Sequence, residues 1–218
     1  MANDVVIVFD FDKTIIDCDS DNWVVDELGF NECDLRIISD ANVFFIETVL
    51  KQYGILECFR EIKTNPSYVD GEGRLRILPY HDFNSSSHGC HICPPNMCKG
   101  VIMERIRATL SAEGKKRFVH AGDGIADFCA GLKLEEGDYL LPRKDFPVWD
   151  VICKNPTLIK ANIREWSNWN EFETVLLNTV NRFLVADKSS VRADQHIPVD
   201  CKFHSSISGH QSALPVPH

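Results

Sequence analysis

The sequence predicts an α/β fold in the form of a three-layer, doubly wound (Rossmann-like) parallel sheet. Residues 5–9, with the sequence VVIVF, form a continuous β-branched and aromatic run. Such a run is typical of a strand that is buried on both faces of a parallel sheet. Further short apolar runs alternate along the chain with segments of helical apolar spacing, and this alternation indicates consecutive βαβ units. The two observations together predict helices on both faces of one sheet.

The individual elements follow from the apolar spacing. Helices are predicted over residues 21–30, 43–53, 99–110, 125–134, 157–166 and 172–184. Further strands are predicted over residues 35–38, 59–63, 117–121 and 138–141. Residues 68–69 and 75–77 flank the segment DGEG, whose glycines suit a tight turn. A β-hairpin is therefore predicted as an insertion in the α/β pattern.

The chain is predicted to form one main domain with a tail. The domain covers residues 1–184 and carries the hairpin and a Cys- and His-rich loop as an insertion at about residues 66–98. In the tail the apolar periodicity disappears while Ser, Pro and His accumulate. We therefore predict that residues 185–218 are disordered.

Composition excludes several classes of partner. The 23 Lys and Arg residues against 32 Asp and Glu residues give a net charge of −9, which repels a phosphate backbone, so nucleic acid is not an expected partner. No apolar run reaches the length of about 18 residues that a membrane span needs, and residues 5–9 are too short for a signal peptide. We therefore expect a cytoplasmic protein without a membrane partner. Nine cysteines, an odd number, then suggest thiols or metal ligands and not disulfides.

Acidic and hydroxyl residues follow the predicted strands. In an open parallel sheet the carboxyl ends of the strands converge on one crevice, so residues far apart in sequence should meet there. These residues are Asp10, Asp12 and Thr14 after the first strand, Ser39 and Asp40 after the second, and Asp123, Gly124 and Asp127 after the strand at 117–121.

This set of residues suits phosphoryl transfer. Asp10 and Asp12, two residues apart in an extended segment, lie on the same side, so one can attack while the other handles a proton. A carboxylate about 4 Å from a phosphate dianion would be repelled by roughly 8 kcal/mol at an effective dielectric constant near 20. A divalent ion must therefore neutralise the approach, and hard oxygen ligands favour Mg²⁺. Lys99, at a predicted helix start, and the Ser39 hydroxyl can balance the remaining charge.

In their order along the chain these residues resemble the four motifs of the haloacid dehalogenase superfamily of phosphohydrolases, across residues 4–145. Within that superfamily the resemblance is to the phosphoethanolamine/phosphocholine phosphatase family, whose plant relatives include enzymes acting on inorganic pyrophosphate and thiamine monophosphate. The segments that carry it are VVIVFDFDKTIIDCDSDNWVVDELG, ISDAN, CPPNMCKG and GDGIADFC.

The resemblance implies a role for each matching residue. It implies that Asp10 is the nucleophile, that Asp12 is the general acid/base, and that Lys99 is the cation bridging nucleophile and phosphate. The implied Mg²⁺ ligands are Asp10, the backbone carbonyl of Asp12, and Asp123. Asp127 is implied to contact these ligands without binding the ion itself. The implied substrate-binding residues are Thr14, Ser39, Asp40, Lys99 and Gly124.

The chain departs from the family between the first two motifs. Family members carry a helical cap of several tens of residues there, whereas only 26 residues separate Asp12 from Ser39 in this chain. Residues 29–32 look like a junction where a segment has been skipped, and the chain after about residue 181 also differs from the family's ending. Loss of the cap should spare the phosphate and metal ligands but remove the lid that excludes water and reads the leaving group. We therefore expect a haloacid dehalogenase-like fold with little or no cap.

The loop before Lys99 could hold a second metal. His88, Cys90, His91, Cys93 and Cys98 lie within eleven residues, and Cys90 with Cys93 forms a C-x-x-C half-site for zinc. No further C-x-x-C exists to complete the site. The alternative is a proline-stiffened loop that places Lys99, with the thiols merely packed.

The favoured function is a Mg²⁺-dependent phosphatase of small phosphorylated metabolites that works through an aspartyl-phosphate intermediate. The expected substrates are phosphocholine or phosphoethanolamine monoesters, or inorganic pyrophosphate. The alternative is a catalytically weak or inactive variant that lacks the cap and acts as a phosphate-binding or regulatory protein. A receiver-type signalling domain also unites strand-end acids with a lysine, but Asp12, Thr14 and the late GDGIAD segment argue against it. The oligomeric state is left open.

Overall fold

The computed structural model describes residues 4–16, 33–82, 84, 88–114 and 116–193, with side chains described as far as residue 183. The predicted helix over residues 21–30, the predicted junction at 29–32 and residues 194–218 of the predicted tail lie outside this range.

A parallel sheet dominates the described residues, as the sequence predicts. The strands are β1 (Val5–Phe9), β2 (Cys33–Asn42), β3 (Phe59–Asn65), β4 (Ser67–Val69), β5 (Leu75–Ile77), β6 (Arg117–Gly122), β7 (Tyr139–Pro142) and β8 (Asn162–Ile163). Six of them form one sheet in the order β3–β2–β1–β6–β7–β8, and every neighbouring pair is parallel. The central strand β1 pairs on both sides, with Val5 opposite Cys33 of β2 and Arg117 of β6.

Helices cover both faces of the sheet, which confirms the three-layer prediction. They are α1 (Val43–Gln52), α2 (Lys99–Ser111), α3 (Ile125–Gly131), α4 (Pro147–Lys154) and α5 (Trp169–Ala193), with a 3-10 turn at Leu56–Cys58. Alternate residues of β1 face the two layers: Ile7 packs with α1 and α5, and Val8 packs with α2, α3 and α4. Among the described helices we find none that combines the length and the apolar character needed to cross a membrane.

The structure corrects the prediction for the segment between β7 and α5. The helix predicted over residues 157–166 is wrong, because this segment is irregular and contains the short strand β8. Its apolar residues are spaced for burial in the sheet layers: Trp166 is fully buried and donates its indole N–H to the carbonyl of Leu141 at 3.0 Å. The helix α4 was not predicted; it begins at Pro147, whose fixed φ favours the first helical position.

The final helix and the hairpin also bear on the predictions. Helix α5 continues to Ala193, so residues 185–193 of the predicted tail are helical. The predicted hairpin is confirmed, since β4 and β5 pair antiparallel as a separate two-stranded sheet. In the turn of this hairpin the Asp70 carboxylate accepts hydrogen bonds from the backbone N–H groups of Glu72 and Arg74, and Gly73 has a φ of 76°.

Candidate active site

The ends of three neighbouring strands bring the predicted acidic residues together. Asp10 directly follows β1, Ser39 lies near the end of β2, and Asp123 directly follows β6. Carboxylate oxygens of Asp10, Asp123 and Asp127 all lie within 4.8 Å of one another. The convergence that the parallel topology predicts is therefore present, and its members are buried.

Lys99 forms the electrostatic centre of this cluster. It is the first residue of α2, and its Nζ lies 2.7 Å from Asp10 Oδ1 and 2.9 Å from Asp127 Oδ1. Burial would lower the pKa of Lys99, which is only 2% exposed, but the two carboxylates raise it well above its usual value. Lys99 is therefore a permanently charged ammonium group inside the protein.

The carboxylates of Asp10 and Asp123 are less well compensated. Asp10 Oδ1 also accepts a hydrogen bond from the backbone N–H of Phe11 at 2.7 Å. Burial, and next the charge of Asp127, raise the pKa of Asp10 well above its ordinary value in spite of Lys99. The same two causes raise the pKa of Asp123. One lysine thus faces three carboxylates, and the excess negative charge suits a bound cation.

Asp127 is held by protein donors on both of its oxygens. Oδ1 accepts from Lys99 and lies 3.1 Å from Nε2 of His120, and Oδ2 accepts from the backbone N–H of Gly124 at 2.9 Å. Burial would raise the pKa of Asp127, but Lys99 and His120 outweigh it and hold the pKa well below its usual range. Both carboxylate oxygens of Asp127 are therefore already engaged by groups of the protein. They also occupy the N–H of Gly124, so a substrate bond to that N–H would have to replace the bond to Asp127.

Sequence reasoning missed His120. It is fully buried in β6, and its Nδ1 lies 2.9 Å from the carbonyl of Val8 in the neighbouring strand β1. It therefore connects the backbone of β1, the strand that Asp10 follows, to Asp127. The signal was a polar residue between Val119 and Ala121 in the strand RFVHAG, three residues before Asp123. The next glycine makes room for this contact, since a Cβ on Gly122 would lie 2.2 Å from Cγ of Asp127.

The end of β2 places the second set of predicted residues. Ser39 is fully buried, and its Oγ accepts from the backbone N–H of Ala41 at 3.2 Å, which leaves the hydroxyl proton available to donate. Asp40 is exposed, and its carboxylate, like any carboxylate, can only accept hydrogen bonds when ionised. Asn65, a residue that sequence reasoning also missed, donates its side-chain amide to the carbonyls of Asp40 at 2.6 Å and Ala41 at 2.8 Å. It fixes the course of the chain beyond Ser39.

Asp12 and Thr14 lie in the loop that follows Asp10. Asp12 is half-buried, and burial followed by the charge of Asp40 raises its pKa. Thr14 is fully buried, and its hydroxyl has no hydrogen-bond partner among the described residues. Arg143, which directly follows β7, holds the loop, since its Nη1 donates to the carbonyl of Lys13 at 2.6 Å.

The cysteine loop meets a fourth cysteine that the sequence analysis did not connect with it. The Sγ atoms of Cys90, Cys93 and Cys98 lie within 4.8 Å of one another and of Sγ of Cys129, which belongs to α3. The sequence has no second C-x-x-C, as predicted, but the fold brings this single cysteine to the loop. Cys129 carries no C-x-x-C spacing of its own, and only the packing of α2 against α3 brings it to the loop.

A central strand followed by an aspartate, a buried lysine at a helix start and a late aspartate pair together define a phosphohydrolase on a Rossmann-like α/β fold. Comparison with known families agrees. The sequence profile of the family described as Putative Phosphatase matches residues 5–33 and 30–180, and the chain belongs to this family.

Individual relatives support the same conclusion. The chain is 41% identical to Inorganic pyrophosphatase 2 of Arabidopsis thaliana over 94% of this chain and 94% of the relative. It is 39% identical to the Thiamine phosphate phosphatase-like protein of the same plant, over 81% of this chain and 96% of the relative. It is 35% identical to Phosphoethanolamine/phosphocholine phosphatase of Gallus gallus, over 63% of this chain and 52% of the relative. The resemblance drawn from the motifs is thereby confirmed, and the chain is a hydrolase of this phosphatase family.

The comparisons also agree with a shortened region between the first two motifs. The family profile matches in two segments that overlap at residues 30–33, next to the junction that the sequence predicts at residues 29–32. The alignment with Inorganic pyrophosphatase 2 extends over 262 positions, 44 more than the 218 residues of this chain. The relative therefore has internal residues that this chain lacks.

Proposed function

We propose that this protein is a Mg²⁺-dependent phosphatase that hydrolyses inorganic pyrophosphate through an aspartyl-phosphate on Asp10. The single observation that carries the proposal is the buried contact of Lys99 with both Asp10 and Asp127, beside Asp123. In this pair the Asp10 carboxylate supplies a nucleophile for phosphorus. The permanently charged Lys99 supplies a cation beside the phosphate under attack.

Pyrophosphate is favoured over an organic phosphate ester for two reasons. First, the relative named Inorganic pyrophosphatase 2 aligns along 94% of both chains. Second, the polar groups gathered at the sheet edge suit phosphate oxygens, while the segment that is shortened here is the one that would read an organic leaving group. Phosphocholine and phosphoethanolamine are the competing substrates.

The site fits a divalent cation with hard oxygen ligands. Lys99 brings one positive charge to three buried carboxylates, and no sulfur or imidazole ligand is needed to explain the set. Asp10 and Asp123, with the backbone carbonyl of Asp12, would hold Mg²⁺, and Asp127 would orient Lys99 beside them. When bound, the ion supplies positive charge that offsets the repulsion between substrate phosphate and carboxylates.

In the first step Asp10 attacks phosphorus. Its Oδ1 accepts from Lys99 and Phe11, so we assign the attack to Oδ2. The new Oδ2–P bond forms as the bond from phosphorus to the leaving oxygen breaks, and Asp12 gives its proton to that oxygen. The raised pKa of Asp12 favours this role, because more of the group carries a proton near neutral pH.

In the second step water releases the phosphate. The Asp12 carboxylate takes a proton from a water molecule, the water oxygen bonds to phosphorus, and the Oδ2–P bond breaks to restore the Asp10 carboxylate. We assign the hydroxyls of Ser39 and Thr14 as donors to the phosphate oxygens, since Ser39 retains its proton and Thr14 has no partner among the described residues. Asp40 and Gly124 can donate to the phosphate oxygens only through their backbone N–H groups.

Phosphate release by the purified full chain tests the proposal. The substrates are pyrophosphate, phosphocholine, phosphoethanolamine, thiamine monophosphate and p-nitrophenyl phosphate, each after EDTA treatment and again with added Mg²⁺. We expect pyrophosphate to be the best substrate, with activity that EDTA removes and Mg²⁺ restores. Asp10→Asn should lower the rate about 10³-fold or more, and Asp12→Asn should accumulate acyl phosphate that hydroxylamine releases.

Two results would contradict the proposal. Turnover that survives Asp10→Asn would exclude the aspartyl-phosphate. No turnover of any substrate by a protein that unfolds cooperatively would instead favour the alternative of a phosphate-binding or regulatory variant, which calorimetric titration with inorganic phosphate would then test.

A further inference from the structure

Four cysteine thiols lie at the corners of a compact cluster on the α2–α3 side of the sheet. The Sγ atoms of Cys90, Cys93, Cys98 and Cys129 are all within 4.8 Å of one another. Two of the separations are 3.7 Å, between Cys90 and Cys129, and 3.9 Å, between Cys98 and Cys129. A tetrahedral zinc ion with Zn–S bonds of about 2.3 Å places its sulfur ligands about 3.8 Å apart. These two separations thus match the spacing of sulfur ligands in a four-coordinate zinc site, and the remaining thiol pairs lie within 4.8 Å.

We propose that these four cysteines bind a structural zinc ion. Four thiolates in a tetrahedron select zinc over the hard cation that suits the acidic cluster. The separations are far longer than the sulfur–sulfur bond of about 2.0 Å in a disulfide, so the thiols are free in this arrangement. Cys90 and Cys93 supply a C-x-x-C half-site from the loop, and the two helices supply the other half.

The loop is shaped to present its first thiol. Gly89 has a φ of 69°, a left-handed conformation that turns the chain directly before Cys90. The backbone N–H groups of Ile92 and Cys93 then both point at Sγ of Cys90, at 3.4 Å each. Backbone N–H groups directed at a ligand sulfur stabilise its thiolate and orient it.

The helix pair is shaped to present the other thiols. Cys98 precedes α2 and is 1% exposed, and Cys129 in α3 is 5% exposed. A Cβ on Gly100 would lie 2.5 Å from Sγ of Cys129 and 2.9 Å from its carbonyl oxygen. The close approach of the two helices therefore depends on the absence of a side chain at Gly100.

The zinc ion would serve the candidate active site without taking part in its chemistry. Cys98 directly precedes Lys99, and Cys129 follows Asp127 by two residues. A closed four-cysteine site leaves no position open for substrate, so its role is to fix the starts of α2 and α3 relative to each other. Lys99 and Asp127, which are 2.9 Å apart, project from these two segments. The ion is thus a positioning element for the Lys99–Asp127 pair.

Metal analysis of the full chain, purified under reducing conditions without added metal, tests the proposal. We expect about one zinc ion per chain, an unchanged content in the Asp123→Asn and Cys153→Ser variants, and a loss of zinc in Cys129→Ser. Cys153 is an exposed cysteine outside the cluster and is the matched control. Less than about a tenth of a zinc ion per chain in the unmodified protein, or iron in place of zinc, would overturn the proposal.

A second set of variants covers the case in which Cys129→Ser does not fold. Cys90 is only half-buried and lies in the loop, so changes there should leave the core intact. Cys90→His, which offers a nitrogen ligand, should retain zinc, and Cys90→Ala should lose it more readily to a chelator. Replacement of zinc by Co²⁺ should give the visible absorption of tetrahedral cobalt thiolate in the wild type. Equal zinc retention by Cys90→Ala and the wild type, or a cobalt spectrum without thiolate character, would contradict the assignment. These readouts do not require phosphatase activity, so they remain valid if the proposed function fails.

Discussion

Substitution of Gly122 by alanine should damage both the stability and the chemistry of the site. A Cβ at this position would lie 2.2 Å from Cγ of Asp127 and 2.6 Å from each of its carboxylate oxygens. Asp127 is fully buried and cannot swing into solvent. It must move within the core and give up at least one of its bonds to Lys99, His120 and Gly124.

The expected cost follows from three contributions. Overpacking costs about 1–3 kcal/mol, and loss of one hydrogen bond to a charged group costs about 1.5–3 kcal/mol. The smaller entropy of an unfolded chain with alanine offsets about 0.4–1 kcal/mol. We therefore expect the free energy of unfolding to fall by about 1.5–5.5 kcal/mol. Because Lys99 is paired with Asp127, kcat for phosphate release should fall as well.

Urea unfolding of the wild type and the variant measures this loss, and Gly124→Ala is the matched control. A Cβ on Gly124 would lie 3.4 Å from Oδ2 of Asp127, and Gly124 has a φ of −92°, which alanine adopts without strain. The control should change the free energy of unfolding by no more than about 1 kcal/mol. If Gly122→Ala unfolds at the same urea concentration as Gly124→Ala, the reasoning is refuted.

Three further predictions concern other buried or bridging groups. His120→Leu leaves the Val8 carbonyl and Asp127 without their shared partner. Urea unfolding should therefore show a free energy of unfolding lower by about 2–4 kcal/mol, and kcat should fall. An unchanged free energy of unfolding would contradict this prediction. Asp138→Asn weakens the hydrogen bonds that the carboxylate accepts from Phe118, Glu135 and Arg107 at the opposite end of the sheet. The same assay should show a free energy of unfolding lower by about 2–3 kcal/mol. Phosphate release per folded molecule should stay unchanged. Hydrogen bonds from the backbone N–H of Arg74 first, and also from Arg76, lower the pKa of Asp70. Carbon NMR should therefore show Asp70 titrating below the usual value of about 3.9. The depressed pKa means that its stabilisation of the hairpin is present above that value and is lost as the pH falls through the folded pKa; a midpoint at or above 3.9 would be inconsistent with the turn.

The sequence predicts those parts of the fold and the site whose position follows from a general rule of sheet topology. Residues 5–9 alternate between the two helix layers and are all buried, as the apolar run indicates. Since carboxyl ends of parallel strands share one edge, Asp10 and Asp123 could be brought together without any structure. Lys99 could be added because its helix begins beside that edge.

The parts that the sequence does not predict depend on contacts between distant segments. The spacing of residues 157–166 imitates a helix because Ile159, Ala161 and Trp166 are buried in different layers of the protein. Cys129 lies 31 residues from Cys98, so their contact cannot be predicted from a short metal-ligand spacing such as C-x-x-C. His120 is visible only as a polar residue in an apolar strand, and its partners come from the strand next to it and the helix after it.

The central position of β1 has a consequence for how the chain folds. Asp10, the proposed nucleophile, follows the first strand. That strand obtains its second neighbour only from β6, where Arg117 lies opposite Val5 and 112 residues further along. Long-range parallel pairing of this kind closes large loops before it gains contacts, so folding is slow compared with that of helical bundles. During synthesis one edge of VVIVF therefore stays unpaired, which favours aggregation, until β6 has been made. A nascent chain that ends before β6 carries Asp10 but neither Asp123 nor Asp127, so the proposed chemistry cannot begin before β6 and the start of α3 have been made.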